Sequence, residues 1–201
     1  MDRRKKIYEL VLFSILTTII IVMSFTPVGY IKTLGVEITL LVIPVAVGAI
    51  LLGPIYGACL GFIFGLTSFL QCVFGFSAFG ATLLSINWFY SLIVCLIPRI
   101  LMGLITGLIF KVLKTKLKDG ITPYIISCIV AALSNTILFT SLFCICFYHT
   151  DFVQSIVVSL GASNVFVFAI LFVGVNGLIE AIVNAIIGVG VSKVLKQTVF
   201  K

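Results

Sequence analysis

The chain has 201 residues, 62% of them hydrophobic and only 9% charged, with a mean hydropathy of +1.35. That composition excludes a water-soluble domain, whose surface needs far more polar groups. The net charge of +7 is not arranged as a nucleic-acid-binding stripe, because eleven of the 13 Lys and Arg fall at positions 3–6, 111–118 and 193–201, flanking apolar stretches.

If an even number of crossings separates these basic patches, all three face the cytoplasm under the positive-inside rule. The expected architecture is an all-α polytopic membrane protein. It is one domain over 1–201, a bundle of six transmembrane helices with N and C termini cytoplasmic, each crossing taking roughly 20 residues. The first span, 7–25, follows the basic start and has no small-residue cleavage site before Pro27, so it is expected to remain as a helix. A turn at Thr26-Pro27 opens an external loop to about residue 36. The second span, 37–52, stops at Gly53-Pro54 and the third, 55–72, begins directly after it, which predicts a tight inside hairpin. Gly53, Gly57, Gly61 and Gly65 share one face at four-residue spacing and predict a helix-packing seam. They are not a phosphate-binding loop, since no Gly-Lys-Ser or Gly-Lys-Thr follows, so the chain cannot use ATP by itself.

Residues 73–89 carry Phe74, Phe76, Phe79 and Trp88 without a charge, which suits an ordered external cap. The fourth span, 90–113, leads into the basic inside loop 114–120, and the fifth runs over 121–147. A small interfacial helix is expected over 152–160, and the sixth span, 164–195, returns to the cytoplasm. The six cysteines have no metal-site spacing and the single His149 has no neighbouring ligand, so no metal or cofactor is expected.

Ionisable residues at membrane depth are expensive and usually functional, which singles out Arg99 and Glu180. Counting helical rise from Lys111 and Lys193 places them about 18 Å and about 20 Å up, at a common level where they can pair between the fourth and sixth spans. Asn135 and Asn176 lie about 26 Å up by the same count, in the outer half. Asn176, Glu180 and Asn184 form one polar face. With Asn87 and Trp88 at the outer end of the fourth span, these residues suggest an outward-opening cavity for a small polar organic molecule. The competing reading is that the polar groups only hold helices together, in an accessory or structural membrane subunit. No catalytic triad, nucleophile elbow, metalloprotease motif or channel filter is present, so neither an enzyme nor an ion channel is expected.

Two runs carry a family resemblance. One is Ile43-Pro-Val-Ala-Val-Gly-Ala-Ile-Leu-Leu-Gly-Pro-Ile-Tyr-Gly-Ala-Cys-Leu-Gly with Phe64-Gly-Leu-Thr-Ser after it; the other is Pro98-Arg-Ile-Leu-Met-Gly-Leu-Ile-Thr-Gly-Leu-Ile-Phe-Lys111. With them the chain resembles the substrate-binding S component of energy-coupling factor (ECF) vitamin transporters. The resemblance implies a high-affinity vitamin binder in the plasma membrane of a bacterium, with its ligand held in the outer half by external loops and the fourth to sixth spans. It also implies as partners a separate transmembrane coupling protein and two ATPases. In the family a pair of small residues four apart on the first helix touches the coupling protein, and Ser14 and Thr18 occupy the matching positions. The entry Gly35-Val-Glu-Ile-Thr-Leu-Leu-Val-Ile-Pro44 looks most like pantothenate-type S components, with riboflavin, folate and pyrimidine or pyridine vitamins left open.

Overall fold

In hydrocarbon no water is present to satisfy a peptide N–H or C=O, so an apolar chain closes its backbone hydrogen bonds within helices. The computed structural model describes residues 3–26, 29–32, 37–117 and 120–199, without the side chains at 4, 5, 31, 32, 37, 38, 175, 176 and 193–199. The described helices are α1 (Arg3–Ser24), α2 (Val42–Leu52), α3 (Pro54–Val73), α4 (Ala78–Ile86), α5 (Trp88–Lys116), α6 (Thr122–Phe147), α7 (Asp151–Ser159) and α8 (Val165–Val199). Between α1 and α2 lies an antiparallel pair, β1 (Tyr30–Lys32) and β2 (Glu37–Thr39), with Tyr30 opposite Thr39. The bundle is all-helical apart from this small ladder.

Local chemistry sets the element ends. Asn87 caps α5 by accepting from the N–H groups of Phe89 and Tyr90, each at 3.1 Å. Ser77 and Thr150 cap α4 and α7 in the same way. Gly53 turns the chain between α2 and α3 with φ 106°, a left-handed conformation that favours glycine, and Pro54 opens α3.

One expectation is corrected here. The second span does not begin at 37: Glu37-Ile-Thr39 pairs with β1, and the helix starts at Val42. Short β-branched alternation favours the ladder there, before the continuous apolar run begins. Of the six expected crossings, four or five are full-length among the described residues. Stretches of α1, α3, α5 and α6 are long and apolar enough to cross a membrane. In α8, Val165–Gly174 and Gly177–Ser192 meet at a 43° bend and make a fifth crossing if counted as one span. The 11 residues of α2 reach about 16 Å, against about 30 Å of hydrocarbon. Its short length goes with its position. Val42, Val45 and Ala46 are wholly buried, with Leu12, Leu16 and Ile20 of α1 and Leu60, Phe64, Met102 and Ala131 of the other helices in the same core. A helix apolar on every side belongs inside.

The glycine spacing on α3 does form a seam, against an antiparallel α5. A Cβ on Gly57 would lie 2.5 Å from the Gly103 carbonyl oxygen, one on Gly65 would lie 2.8 Å from that of Cys95, and one on Gly61 would collide with that of Arg99. Gly53, expected on this face, is instead the turn residue. Gly61→Leu therefore forces the two backbones apart and should destabilise the bundle by about 1–3 kcal/mol, lowering the thermal unfolding midpoint of the detergent-purified protein. Gly190→Ala, where a Cβ meets nothing within 4 Å, should leave that midpoint unchanged.

Candidate binding site

The described residues enclose a cavity of about 280 Å³ among the β1–β2 ladder, α3, α4, α5, α6 and α8. That is the small end of the range for ligand sites. Arg99, Asn135 and Glu180 all line it, so α5, α6 and α8 bring together residues that the depth count set at about 18, 26 and 20 Å. Ser68, Gln71 and Cys72 of α3 form a second wall, with Tyr30 and Thr39 from the ladder. Phe79 of α4, Phe139 of α6 and Phe172 of α8 give it an aromatic side.

The wall on α3 is held by a buried polar network. The Ser24 and Thr67 hydroxyls are 2.8 Å apart, Gln71 Nε2 donates to the Ser24 carbonyl, and the Tyr30 and Ser68 hydroxyls are 3.0 Å apart. These contacts fasten the end of α1 and the ladder to the cavity. The only sequence signal for them is the cluster Thr67, Ser68 and Gln71 on an otherwise apolar helix, and its partners come from distant segments. The Phe-rich cap contributes through one ring. Phe79 lies 5.6 Å from Phe143, 6.0 Å from Phe152 and 5.8 Å from Phe172, whereas Phe74 and Phe76 are exposed.

Arg99 is fixed by its neighbour in sequence. Proline has no N–H, so Pro98 leaves the carbonyl of Val94, four residues earlier, without its helical donor. Arg99 Nη1 takes that carbonyl at 2.8 Å. The guanidinium carbon lies 4.8 Å from the Phe139 ring centroid and 5.4 Å from that of Phe64, within cation–π range. Its Nε is buried and has no partner among the described residues. Glu180 accepts instead from Asn135 Nδ2 at 3.3 Å, and the Asn135 Oδ1 is also buried without a partner. The expected ion pair between Arg99 and Glu180 is therefore not present among the described residues. Each has found a different partner, and the arginine keeps an unused donor.

The other candidates are placed differently. Asn87 does not line the cavity, because its side chain is committed to capping α5, and Trp88 is 64% exposed on the outer surface. Asn176 lies in α8, but its side chain is outside the described residues. Asn184, one turn beyond Glu180, is 1% exposed with neither side-chain polar atom bonded, and it does not line the cavity. Ser14 and Thr18 sit on an exposed face of α1, their hydroxyls donating to the carbonyls of Leu10 and Ser14, each at 2.9 Å.

Removing half of the Asn135–Glu180 bond strands a carboxyl that is 7% exposed. Asn135→Leu should cost about 1–3 kcal/mol. The double variant Asn135→Leu/Glu180→Leu should unfold closer to the unmodified protein than either single variant does, as a ligand-free thermal melt would register.

The sequence profile of the family described as "ECF transporter, substrate-specific component" matches residues 8–192. The chain is 30% identical over 161 residues to "Pantothenic acid transporter PanT" of Lactococcus lactis subsp. cremoris (strain MG1363), an alignment that covers 76% of this chain and 74% of that one.

Proposed function

We propose that this chain, which belongs to the family of ECF transporter substrate-specific components, is the membrane subunit that binds pantothenate for uptake. The observation that carries the choice of ligand is the condition of Arg99, a buried guanidinium on a cavity wall with no carboxylate in direct ion-pair contact among the described residues, Glu180 being bonded to Asn135. Pantothenate is a small acid with one carboxylate, one amide and two hydroxyls beside a gem-dimethyl carbon. Its carboxylate would bond the part of the Arg99 guanidinium that lines the cavity, as a charge-assisted hydrogen bond. Its hydroxyls and amide would meet Asn135 and Glu180, and Phe79 and Phe172 would shield the methyl groups. The name of the Lactococcus relative supports the same ligand.

Uptake in this reading needs a transmembrane coupling protein and two ATPases, since the chain carries no nucleotide-binding motif. Ser14 and Thr18 suit the contact with the coupling protein, because they are small, exposed and four residues apart, and their hydroxyls are already satisfied by the helix itself. The chain crosses the membrane six times in this reading, with α2 and the β1–β2 ladder together making the short crossing. Both termini and the basic loop after α5 then face the cytoplasm.

Pantothenate at 100 times its dissociation constant should stabilise the purified chain by about 2.7 kcal/mol, seen as a rise in unfolding midpoint. Arg99→Met should abolish that rise while leaving a folded protein; an undiminished rise would remove Arg99 from the site. The topology has its own check. In a cysteine-free background, Thr115→Cys should react with an impermeant maleimide only after cells are opened, and His149→Cys should react in intact cells.

A further inference from the structure

We infer that Pro98 is a positioning residue for ligand binding, acting through Arg99 rather than by touching the ligand; this rests on the reading that Arg99 receives the carboxylate. Proline inside a helix interior removes one hydrogen bond and ordinarily destabilises it. Here the missing donor leaves the Val94 carbonyl free, and Arg99 Nη1 occupies it at 2.8 Å. That bond folds the side chain back along its own helix to the level of the cavity, where Val94, Cys95 and Arg99 all form part of the wall. Phe139 and Phe64 flank the guanidinium, and the buried Nε remains unbonded. One nitrogen is anchored to the main chain, two rings lie within cation–π range, and the rest of the group on the cavity wall is left to meet an anion. The proline is what makes the anchor available.

An alanine at 98 would return an N–H to compete for the Val94 carbonyl and release the arginine. The two roles open to this proline therefore predict different results. A proline that serves only the shape of α5 would, when replaced, alter stability and affect every ligand of the cavity alike. A proline that positions Arg99 would affect the carboxylate alone.

The experiment measures binding of pantothenate and of pantothenol, in which a neutral CH2OH replaces the carboxylate, to the purified full chain and to Pro98→Ala, by calorimetry alongside ligand-free melts. Pro98→Ala should weaken pantothenate on the order of tenfold, the scale of one hydrogen bond to a charged group. Pantothenol affinity should change by less than about twofold, and the ligand-free midpoint should not fall. Pro98→Leu, which also returns an N–H to position 98, serves if Pro98→Ala does not fold: it should show the same acid-selective loss. Equal losses for both ligands, or unchanged pantothenate affinity in a folded Pro98→Ala, would overturn the inference while leaving the pantothenate reading standing. Failure of the unmodified chain to bind pantothenate overturns both.

Discussion

The backbones of α3 and α5 touch, and much of the molecule depends on that contact. Association of helices in lipid lacks the hydrophobic drive available in water, so close backbone packing is one of the few forces left to hold them. Gly57, Gly61 and Gly65 let α3 lie against the carbonyls of Gly103, Arg99 and Cys95. With no side chain between them, neither helix can rotate without a collision. The rotation of α5 is thereby set, and with it the side on which Arg99 emerges: its carbonyl abuts Gly61, and its side chain lines the cavity. The same closeness carries Ser68, Gln71 and Cys72 of α3 to the adjoining wall.

The short α2 follows from a different constraint. A segment within the bilayer must either reach both surfaces or be enclosed by protein. α2 is enclosed: its neighbours supply apolar side chains all round it, and the β1–β2 ladder continues the chain toward the cavity mouth. The non-helical backbone of the ladder thus lies at the cavity, which Tyr30 and Thr39 line. The aromatic rings above it are compact for a similar reason. On α6, Phe139, Phe143 and Phe147 repeat every four residues and stack at 6.1 Å and 6.0 Å, and Phe168 and Phe172 of α8 stack at 5.2 Å. Helical periodicity places these rings over one another, so they pack without polar groups.

The long helices were legible because hydrophobic length and punctuation act locally: Gly53-Pro54 marks a turn and the basic runs mark span ends. That Arg99 and Glu180 share a cavity was legible too, because rise per residue converts sequence distance into depth; the same count set Asn135 about 6 Å higher than Glu180, to which it bonds. What depth does not give is rotation and rotamer. The pairing of Arg99 with Glu180 was inferred from equal height alone, and the structure divides them between Val94 and Asn135. Asn87 differs in kind, since an Asn directly before an apolar helical run is an N-cap signal as much as a candidate ligand donor, and the capping role holds it here. The contribution of Glu37–Thr39 to a strand was masked by the apolar run that follows it. Tyr30, Ser68 and Gln71 could not be assigned to the site from sequence, because their arrangement exists only once α1, the ladder and α3 have met. The family match resolves the choice between a transport component and an accessory subunit that the polar residues alone left open.

The bond from Arg99 to the main chain of its own helix also has a bearing on how tightly an empty site can seize its ligand. A long, flexible side chain loses about 1.5–2 kcal/mol of rotamer freedom when it is immobilised. If that loss fell at the moment of capture, affinity would drop by more than tenfold. Here the fold itself holds the side chain, through the Val94 carbonyl and the two rings, so in the proposed reading the entropy is lost during folding rather than at capture. For a protein that must collect a solute from dilute surroundings, a fixed arginine converts folding stability into capture.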